Sequence, residues 1–295
     1  MRKIVLGDNL EVLRTLPSGL ARLVYIDPPF NTGKTQARKS MRTVRDENGD
    51  RTGFKGQRYR TEHLGSSAYE DLFDDYLAFL EPRLVEAKRI LTVDGSLFFH
   101  IDYREVHYCK VLLDGIFGRD SFKNEIIWAY DYGGRPKNRW PAKHDTILWY
   151  AVDPGNYVYN YDDIDRIPYI APGLVGPVKA ARGKTPTDVW WNTIVSPTGK
   201  EKTGYPTQKP LKILERIVKV HSKPGDIVVD FFAGSGTTGE AAARNGRDYL
   251  LVDSNIEAVR VMARRLELDA PELVGFDADE AGAASAQPSL FRGVE

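Results

Sequence analysis

Short apolar runs alternate with segments of helical periodicity along most of this chain. The apolar runs end at Gly, Asp or Pro, as buried strands do, and they predict strands at 3–6, 23–26, 96–101, 125–130, 146–152, 227–230 and 248–252. The periodic segments predict helices at 10–16, 69–92, 104–116, 210–221, 237–244 and 256–268. Strands that alternate with helices indicate an α/β fold with a doubly wound, mostly parallel sheet.

Three segments break this alternation. Residues 31–68 are polar and rich in Gly, Ser and Thr, which predicts a long loop of the kind that is usually functional or mobile. Residues 153–205 hold many prolines and aromatic residues, which predicts an inserted recognition region. Its rings could stack on nucleic-acid bases, or Trp190 and Trp191 could form the core of a small subdomain. The tail 269–295 is rich in small and acidic residues and is predicted to be disordered.

Composition is that of an ordinary globular protein. The chain has 295 residues, of which 42% are hydrophobic and 28% charged, so it fits one large domain or one domain with an insertion. No apolar run approaches the roughly 18 residues that cross a bilayer, and the chain starts on an acidic turn rather than a signal peptide. We therefore expect a cytoplasmic protein with no membrane partner.

The charge is zero overall but unevenly distributed. Residues 31–60 hold nine Lys/Arg against three acids, residues 179–212 hold seven against two, and residues 269–295 hold one against six. Basic segments of this kind suit phosphate contact, although a solvated surface gives the same pattern.

Cysteine and histidine usage argues against a metal or thiol centre. Cys109 is the single cysteine, which excludes an intrachain disulfide, and the five histidines show no paired ligand spacing. Cys109 falls on a predicted helix, so we expect a buried structural residue and no C5-cytosine chemistry, which needs a thiolate nucleophile. His144-Asp145 precedes a strand and is interpreted as support for the turn or for the wall of a flipped-base pocket rather than as a catalytic pair. His221 is interpreted as a partner of a helix C-terminal dipole.

Asp27-Pro28-Pro29-Phe30 ends a predicted buried strand. The prolines stop the strand because they cannot donate to a sheet ladder. In open α/β sheets, ligands bind at the carboxyl ends of the strands. A carboxylate, a carbonyl and an aromatic ring at this end would suit a flat molecule that carries an amino group.

A glycine-rich turn lies between a predicted strand and helix, at Asp230-Phe231-Phe232-Ala233-Gly234-Ser235-Gly236-Thr237-Thr238-Gly239. It matches G-x-G-x-x-G, and the next strand ends in Asp253, which suits ribose hydroxyls. The unit therefore predicts a nucleoside-containing cofactor, either NAD or S-adenosylmethionine. Asp230 favours S-adenosylmethionine, because a carboxylate there would repel a pyrophosphate but could hold an amino group. The position of the unit near the end of the chain also argues against NAD.

Together, four motifs resemble those of the DNA amino-methyltransferases. Asp27-Pro28-Pro29-Phe30 is similar to their D-P-P-[YF] motif and the glycine turn to their S-adenosylmethionine motif. Tyr205-Pro206-Thr207-Gln208-Lys209-Pro210 resembles [HY]-P-T-Q-K-P, and Gly7-Asp8-Asn9 resembles an opening acidic turn. The catalytic motif precedes the cofactor motif, as in the permuted β group. The resemblance covers residues 1–268 and implies a Rossmann-like methyltransferase sheet.

The resemblance also implies roles for particular residues. Asp27, Pro28, Pro29 and Phe30 would be catalytic, with Asp27 and the Pro28 carbonyl accepting the amino hydrogens of a flipped base and Phe30 stacking on it. No metal is implied. The cofactor-binding residues would be Asp8, Thr207, Lys209, Asp230, Phe231, Ala233, Gly234, Ser235, Gly236, Thr237, Asp253 and Asn255.

The resemblance also implies a function for each region of the chain. Residues 1–152 would form the catalytic part of the methyltransferase domain, 206–268 its cofactor-binding part, and 153–205 the target-recognition region. The expected partners are double-stranded DNA, a separate restriction endonuclease and a second copy of the chain as a homodimer.

The expected reaction is methyl transfer to an exocyclic amino group of DNA. Adenine N6 is preferred over cytosine N4, because family members with Asp in this motif are mostly adenine-directed. An NAD-dependent oxidoreductase and a catalytically silent DNA-binding protein are the alternatives from other classes. The intact Asp27 and the intact glycine turn argue against a silent protein.

Overall fold

The computed structural model describes residues 1–31, 34–45, 51–52, 58–71, 75–196 and 199–276. Its strands are β1 (Arg2–Leu6), β2 (Ala21–Ile26), β3 (Lys34–Arg45), β4 (Arg51–Thr52), β5 (Arg58–Asp71), β6 (Leu91–Ile101), β7 (Phe122–Ala129), β8 (His144–Ala151), β9 (Val189–Trp191), β10 (Ile227–Asp230), β11 (Asp248–Asp253) and β12 (Glu272–Val274). Its α-helices are α1 (Asn9–Thr15), α2 (Tyr76–Ile90), α3 (Val106–Phe117), α4 (Pro177–Arg182), α5 (Leu211–His221), α6 (Thr237–Arg244) and α7 (Ile256–Arg265).

Within the described residues, nine strands form one sheet in the order β12-β1-β11-β10-β2-β6-β8-β7-β9. The run from β12 to β6 is parallel throughout. Its central strands are apolar, with Leu23, Val24, Val228 and Val229 fully buried, as expected for parallel strands covered on both faces. The predicted α/β fold with a mostly parallel, doubly wound sheet is confirmed.

The strand order reverses between β10 and β2. From β10 the chain continues to β11 on one side, and from β2 it continues to β6 on the other. The two central strands pair in parallel, with Val229 opposite Val24. Such a switch point leaves a crevice outside the carboxyl ends of the strands, where ligands bind in open α/β folds.

The other end of the sheet is mixed. Strand β8 runs antiparallel to β6 and to β7, and β9 joins β7 in parallel, with Trp191 opposite Ala129. The segment 153–205 therefore contributes a strand to the main sheet. Its role as a target-recognition region stays a prediction.

Residues Pro29–Tyr76 form a second compact unit. The prediction of a loop over 31–68 is wrong, because β3 and β5 pair antiparallel from Lys34 opposite Asp71 to Arg45 opposite Tyr59, and β4 pairs with β5. The segment is mostly polar and lacks the regular alternation of apolar and polar residues on which strand prediction depends.

Three further boundaries differ from the predictions. Helix α2 begins at Tyr76 rather than at 69. Asp94-Gly95 lies inside β6, where the pairing with β2 shifts register, so these residues form a bulge and not a turn before the strand. The expected disordered tail begins with β12, which pairs with β1 at the sheet edge, whereas residues 277–295 lie outside the described residues.

Two side chains predicted to be structural are buried. Cys109 is fully buried in α3, and burial raises the pKa of its thiol to about 12. His221 ends α5 among Phe98, Trp149 and Tyr159, and burial lowers its pKa to about 3. A neutral imidazole cannot act as a cation at a helix C-terminus, so that interpretation is wrong.

Candidate active site

Asp27 directly follows β2 at the switch point. The side chain is 15% exposed, and its Oδ2 forms an ion pair with Lys209 Nζ, which precedes α5. The other oxygen, Oδ1, is buried and accepts no hydrogen bond from any described residue. Pro28 is buried and, as predicted, carries no N–H to extend the ladder. Asp27 therefore has one paired oxygen and one buried oxygen that can still accept a hydrogen bond.

Asp230 ends β10, the strand next to β2. Its Oδ1 accepts from the backbone N–H of Phe232 at 3.0 Å, and its Oδ2 accepts from Thr238 Oγ1 at 2.6 Å. These bonds tie the end of the strand to the first turn of α6. Burial, together with the charges of Asp27 and Asp253, raises the pKa of Asp230 to about 7, although its two hydrogen bonds act in the opposite direction. The three carboxylates thus lie close enough to affect one another.

The glycine turn contains positions that only glycine can occupy without strain. Gly234 and Gly236 have φ values of +49° and +72°, in the left-handed region. A Cβ on Gly234 would lie 3.1 Å from the ring of Tyr205, and one on Gly239 would lie 2.6 Å from Leu251 Cδ1. The first contact brings the Tyr205 segment against the turn, and the second packs α6 closely on β11.

Asp253 ends β11 and holds the same turn. Its Oδ2 accepts from the N–H of Gly234 and its Oδ1 from the N–H of Asn255, both at 2.9 Å. Burial raises the pKa of Asp253. The Asn255 side chain in turn caps α7 by accepting from the N–H of Glu257 at 2.9 Å. Because a carboxylate can accept about four hydrogen bonds, Asp253 keeps capacity for a ligand.

Arg265, which the sequence interpretation missed, braces the turn from α7. Its side chain is only 4% exposed, and it forms an ion pair with Glu240. Its Nη1 donates to the Ser235 carbonyl at 3.1 Å and to Thr237 Oγ1 at 2.9 Å. Thr237 Oγ1 also donates to the carbonyl of Lys209 at 3.1 Å. Ser235 and Thr237 therefore act in the structure as buried links within the turn.

Asp8 follows β1 and lies at the same edge, because β1 pairs with β11 and places Leu6 opposite Asp253. Its Oδ1 caps α1, and its Oδ2 accepts from Arg83 Nη2 at 3.3 Å. Asn9 Nδ2 donates to the carbonyl of Phe231 at 2.8 Å, and Arg83 Nε donates to Asn9 Oδ1 at 2.6 Å. The opening acidic turn is thus joined to the glycine turn.

A buried polar chain runs beside Asp27 under the carboxyl edge. Tyr130 Oη donates to Asp145 Oδ1 at 3.0 Å, and His100 Nε2 lies 3.3 Å from Asp145 Oδ2. Since a carboxylate only accepts, this assigns the proton to Nε2 and leaves Nδ1 to accept from Tyr25 Oη at 2.7 Å. Burial would raise the pKa of Asp145, but the His100 hydrogen bond and nearby charges, including Lys209, hold it below its usual value.

The partner of Asp145 is thus His100 and not His144. Successive residues of β8 point to opposite faces of the sheet, so His144 and Asp145 cannot meet. His100 comes from β6, the neighbouring strand, where it lies opposite Ile147. The sequence gives no sign of this pair, which follows from strand register, and the interpretation of His144 and Asp145 as support for a turn or pocket wall stays a prediction.

The structure brings most of the predicted site residues to one edge of the sheet. Thr207 is exposed, whereas Phe231 is fully buried and Ala233 is 6% exposed. Pro29 and Phe30 belong to the second unit, where the Pro29 carbonyl accepts from Tyr76 Oη at 2.6 Å. Stacking of a base on Phe30 stays a prediction.

The charge of this edge distinguishes between the two cofactors. Asp27, Asp230 and Asp253 surround the glycine turn, and Lys209 pairs with the first of them. A pyrophosphate would be repelled by these carboxylates. S-adenosylmethionine carries a sulfonium and an ammonium group, so the residues fit it and not NAD.

The family model for the N6/N4 DNA methylases matches residues 21–264. The chain belongs to this family. DNA adenine methyltransferase YhdJ of Escherichia coli is 29% identical over 280 residues, which cover 90% of this chain and 83% of that protein. Type II methyltransferase M.HpaI of Haemophilus parainfluenzae is 27% identical over 276 residues, which cover 94% of this chain and 76% of that protein.

Solved structures of DNA methylases share the fold. The PvuII cytosine-N4-specific DNA methyltransferase aligns with a TM-score of 0.62 at 18% identity, over 95% of this chain and 89% of that one. The M1.HpyAVI-SAM complex aligns with a TM-score of 0.57 at 22% identity, over 90% of this chain and 99% of that one. At these identities the likeness concerns the fold.

Membership of the N6/N4 DNA methylase family confirms the predicted resemblance and the predicted enzyme class. It also confirms S-adenosylmethionine as the cofactor and DNA as the partner, and it overturns the NAD-dependent oxidoreductase. Among the described residues, no helix has the length and apolarity to cross a membrane.

Proposed function

We propose that this DNA methylase transfers a methyl group to N6 of adenine in double-stranded DNA, with Asp27 as the catalytic acceptor. The buried Oδ1 of Asp27 carries the proposal, because it lies at the switch point and accepts from no described residue. A flipped base that presents an amino group would supply the missing donor.

The amino nitrogen of adenine is a poor nucleophile because its lone pair is delocalised into the ring. Asp27 and the Pro28 carbonyl each accept one amino hydrogen, which bends the nitrogen toward a tetrahedral geometry and frees the lone pair. S-adenosylmethionine, when bound, supplies a methyl group that is electrophilic because its sulfur is positively charged. Asp27 then accepts the proton that the nitrogen loses after methylation.

The residues of the carboxyl edge would hold the cofactor. Asp253 would accept hydrogen bonds from ribose hydroxyls, and Asp8 would contact the adenine end. Asp230 would hold the ammonium group of the methionine end, since each of its oxygens accepts one hydrogen bond within the turn and can accept another. Phe231, Gly234, Gly236 and neighbouring backbone shape the pocket.

The preference for adenine rests on Asp27, since relatives with Asp in this motif are mostly adenine-directed. YhdJ, which is an adenine methyltransferase by name, adds support at 29% identity. Cytosine N4 presents a similar amino group and is the alternative. A separate restriction endonuclease and a homodimer belong to the same proposal, and sedimentation of the purified chain tests the second.

The test of the function is methylation of defined duplex DNA followed by nucleoside mass spectrometry. We expect N6-methyladenine, and N4-methylcytosine would support the alternative. Asp27→Ala and the isosteric Asp27→Asn should abolish transfer and retain cofactor binding in calorimetry. Asp120→Ala is the matched control, because it removes an exposed carboxylate before β7, at the opposite edge of the sheet. Full activity of both Asp27 variants would refute the role of Asp27.

A further inference from the structure

The loop between β7 and β8, residues 131–143, carries a tryptophan that is almost completely in water. Trp140 is 95% exposed. An indole has a large apolar surface that normally finds a partner, so an exposed one of this size points to a binding surface. None of the predicted catalytic or cofactor residues lies in this loop.

The loop has a defined shape. Lys143 Nζ donates to the carbonyls of Tyr132, Gly133 and Gly134, the last two at 2.9 and 3.2 Å. At the base of the loop, the N–H of Tyr130 donates to the carbonyl of Lys143 at 2.9 Å. The ammonium group of Lys143 thus holds the loop closed, and Trp140 projects from this closed loop.

The charge around Trp140 is positive. The loop holds four basic residues and one acid, Asp131, which pairs with Arg135 at 2.5 Å. Lys137 and Arg139 form no ion pair with any described residue. Two uncompensated cations beside an exposed ring match the phosphates and bases of a nucleic acid.

The loop lies at the same edge of the sheet as Asp27. Strand β6 ends at Ile101 opposite Thr146, and β7 ends at Ala129 opposite His144, so the loop extends beyond the carboxyl end of β6. Strands lie ~4.8 Å apart, which places β7 about 14 Å from β2 across three strand spacings. This distance lets the loop touch the duplex while a rotated base reaches Asp27.

We propose that the 131–143 loop binds duplex DNA beside the target and that the Trp140 ring stacks in the gap left by the flipped base. The inference rests on the proposed function. Flipping costs a few kcal/mol of lost stacking and pairing, and an inserted ring restores part of the stacking. Lys137 and Arg139 hold the flanking phosphates.

The test compares two DNA substrates for Trp140→Ala. The first is a normal duplex, and the second has an abasic site opposite the target, which makes flipping easy. We expect kcat/KM on the normal duplex to fall about 5- to 150-fold, since base–aromatic stacking contributes roughly 1–3 kcal/mol. On the abasic duplex the fall should be within about 2-fold. Cofactor affinity should stay unchanged.

Three controls make the test specific. Trp140→Phe should recover most of the activity on normal duplex, because a phenyl ring also stacks. Val111→Ala removes an exposed apolar side chain from α3 and should match the parent enzyme. Lys137→Gln with Arg139→Gln should weaken binding and lower the slope of log Kd against log salt by about 2.

Each outcome decides between the two proposals. If the parent enzyme methylates duplex DNA and Trp140→Ala matches it, the inference is wrong and the proposed function stands. An equal loss on both duplexes would also overturn the inference, because the ring would then serve general docking. If the parent enzyme methylates no DNA, the proposed function fails and the inference fails with it.

Discussion

Gly236→Ala should destabilise the protein through two separable effects. Gly236 has a φ of +72°, where an L-residue costs roughly 1–2 kcal/mol. In addition, its new Cβ would lie 2.8 Å from Met262 Cγ and 3.4 Å from Met262 Cα, and overpacking of this kind costs about 1–3 kcal/mol. We therefore expect a loss of about 2–5 kcal/mol in the free energy of unfolding.

Gly225→Ala isolates the first effect. Gly225 has a φ of +85°, and a Cβ there would meet no atom of the described residues within 4 Å. We expect it to cost only the roughly 1–2 kcal/mol of backbone strain. Urea denaturation followed by tryptophan fluorescence measures the free energy of unfolding of both variants, and equal m-values make the two losses comparable. If Gly236→Ala loses no more stability than Gly225→Ala, the turn does not pack against α7 as the structure has it.

Two further predictions concern buried charge. Arg265→Met should cost about 1–3 kcal/mol, because it leaves the Ser235 carbonyl and Glu240 Oε2 without the Arg265 donor while Arg244 still pairs with Glu240 Oε1. The exposed Arg264→Met should stay within about 0.5 kcal/mol in the same denaturation assay. The pKa of His221 is about 3 in the folded protein. Below pH ~6.5 this histidine is therefore protonated in the unfolded chain but stays neutral in the folded protein. The contribution of His221 to stability should therefore fall by about 1.4 kcal/mol for each pH unit between ~6.5 and about 3, and the difference in stability between the parent and His221→Phe should change with pH by this amount. Asp230 contributes a slope of opposite sign that is common to both proteins, so parallel curves for parent and variant would contradict the assignment.

The sheet and the turn were predictable from the sequence because both depend on local signals. Asp27 and the glycine turn each follow an apolar run, and the prolines and glycines restrict the backbone in ways that few other structures share. The carboxyl ends of parallel strands meet at one edge, so two turns about 200 residues apart could be assigned to one crevice.

Other features depend on which strands become neighbours, and here the sequence carries no local signal. The sequences of β3 and β5 lack the alternation of apolar and polar residues that would reveal these strands. The pairing of His100 with Asp145 follows from the register of β6 and β8. Arg265 looks like any basic residue at the end of an amphipathic helix, and its burial under the glycine turn appears only once α7 is packed.

Chain order and site geometry are independent in this fold. What Asp27 and Asp230 share is a place at the ends of two neighbouring strands, and either strand can come first in the chain without changing that place. The switch point also explains the charge, because adjacent strand ends bring their carboxylates together with little water between them. Burial first, and then the charges of the other two carboxylates, raise the pKa of Asp230 to about 7, which disfavours the folded state with all three carboxylates ionised. Lys209 offsets part of this repulsion by its ion pair with Asp27. The negative charge that is not neutralised favours a cationic cofactor over an anionic one.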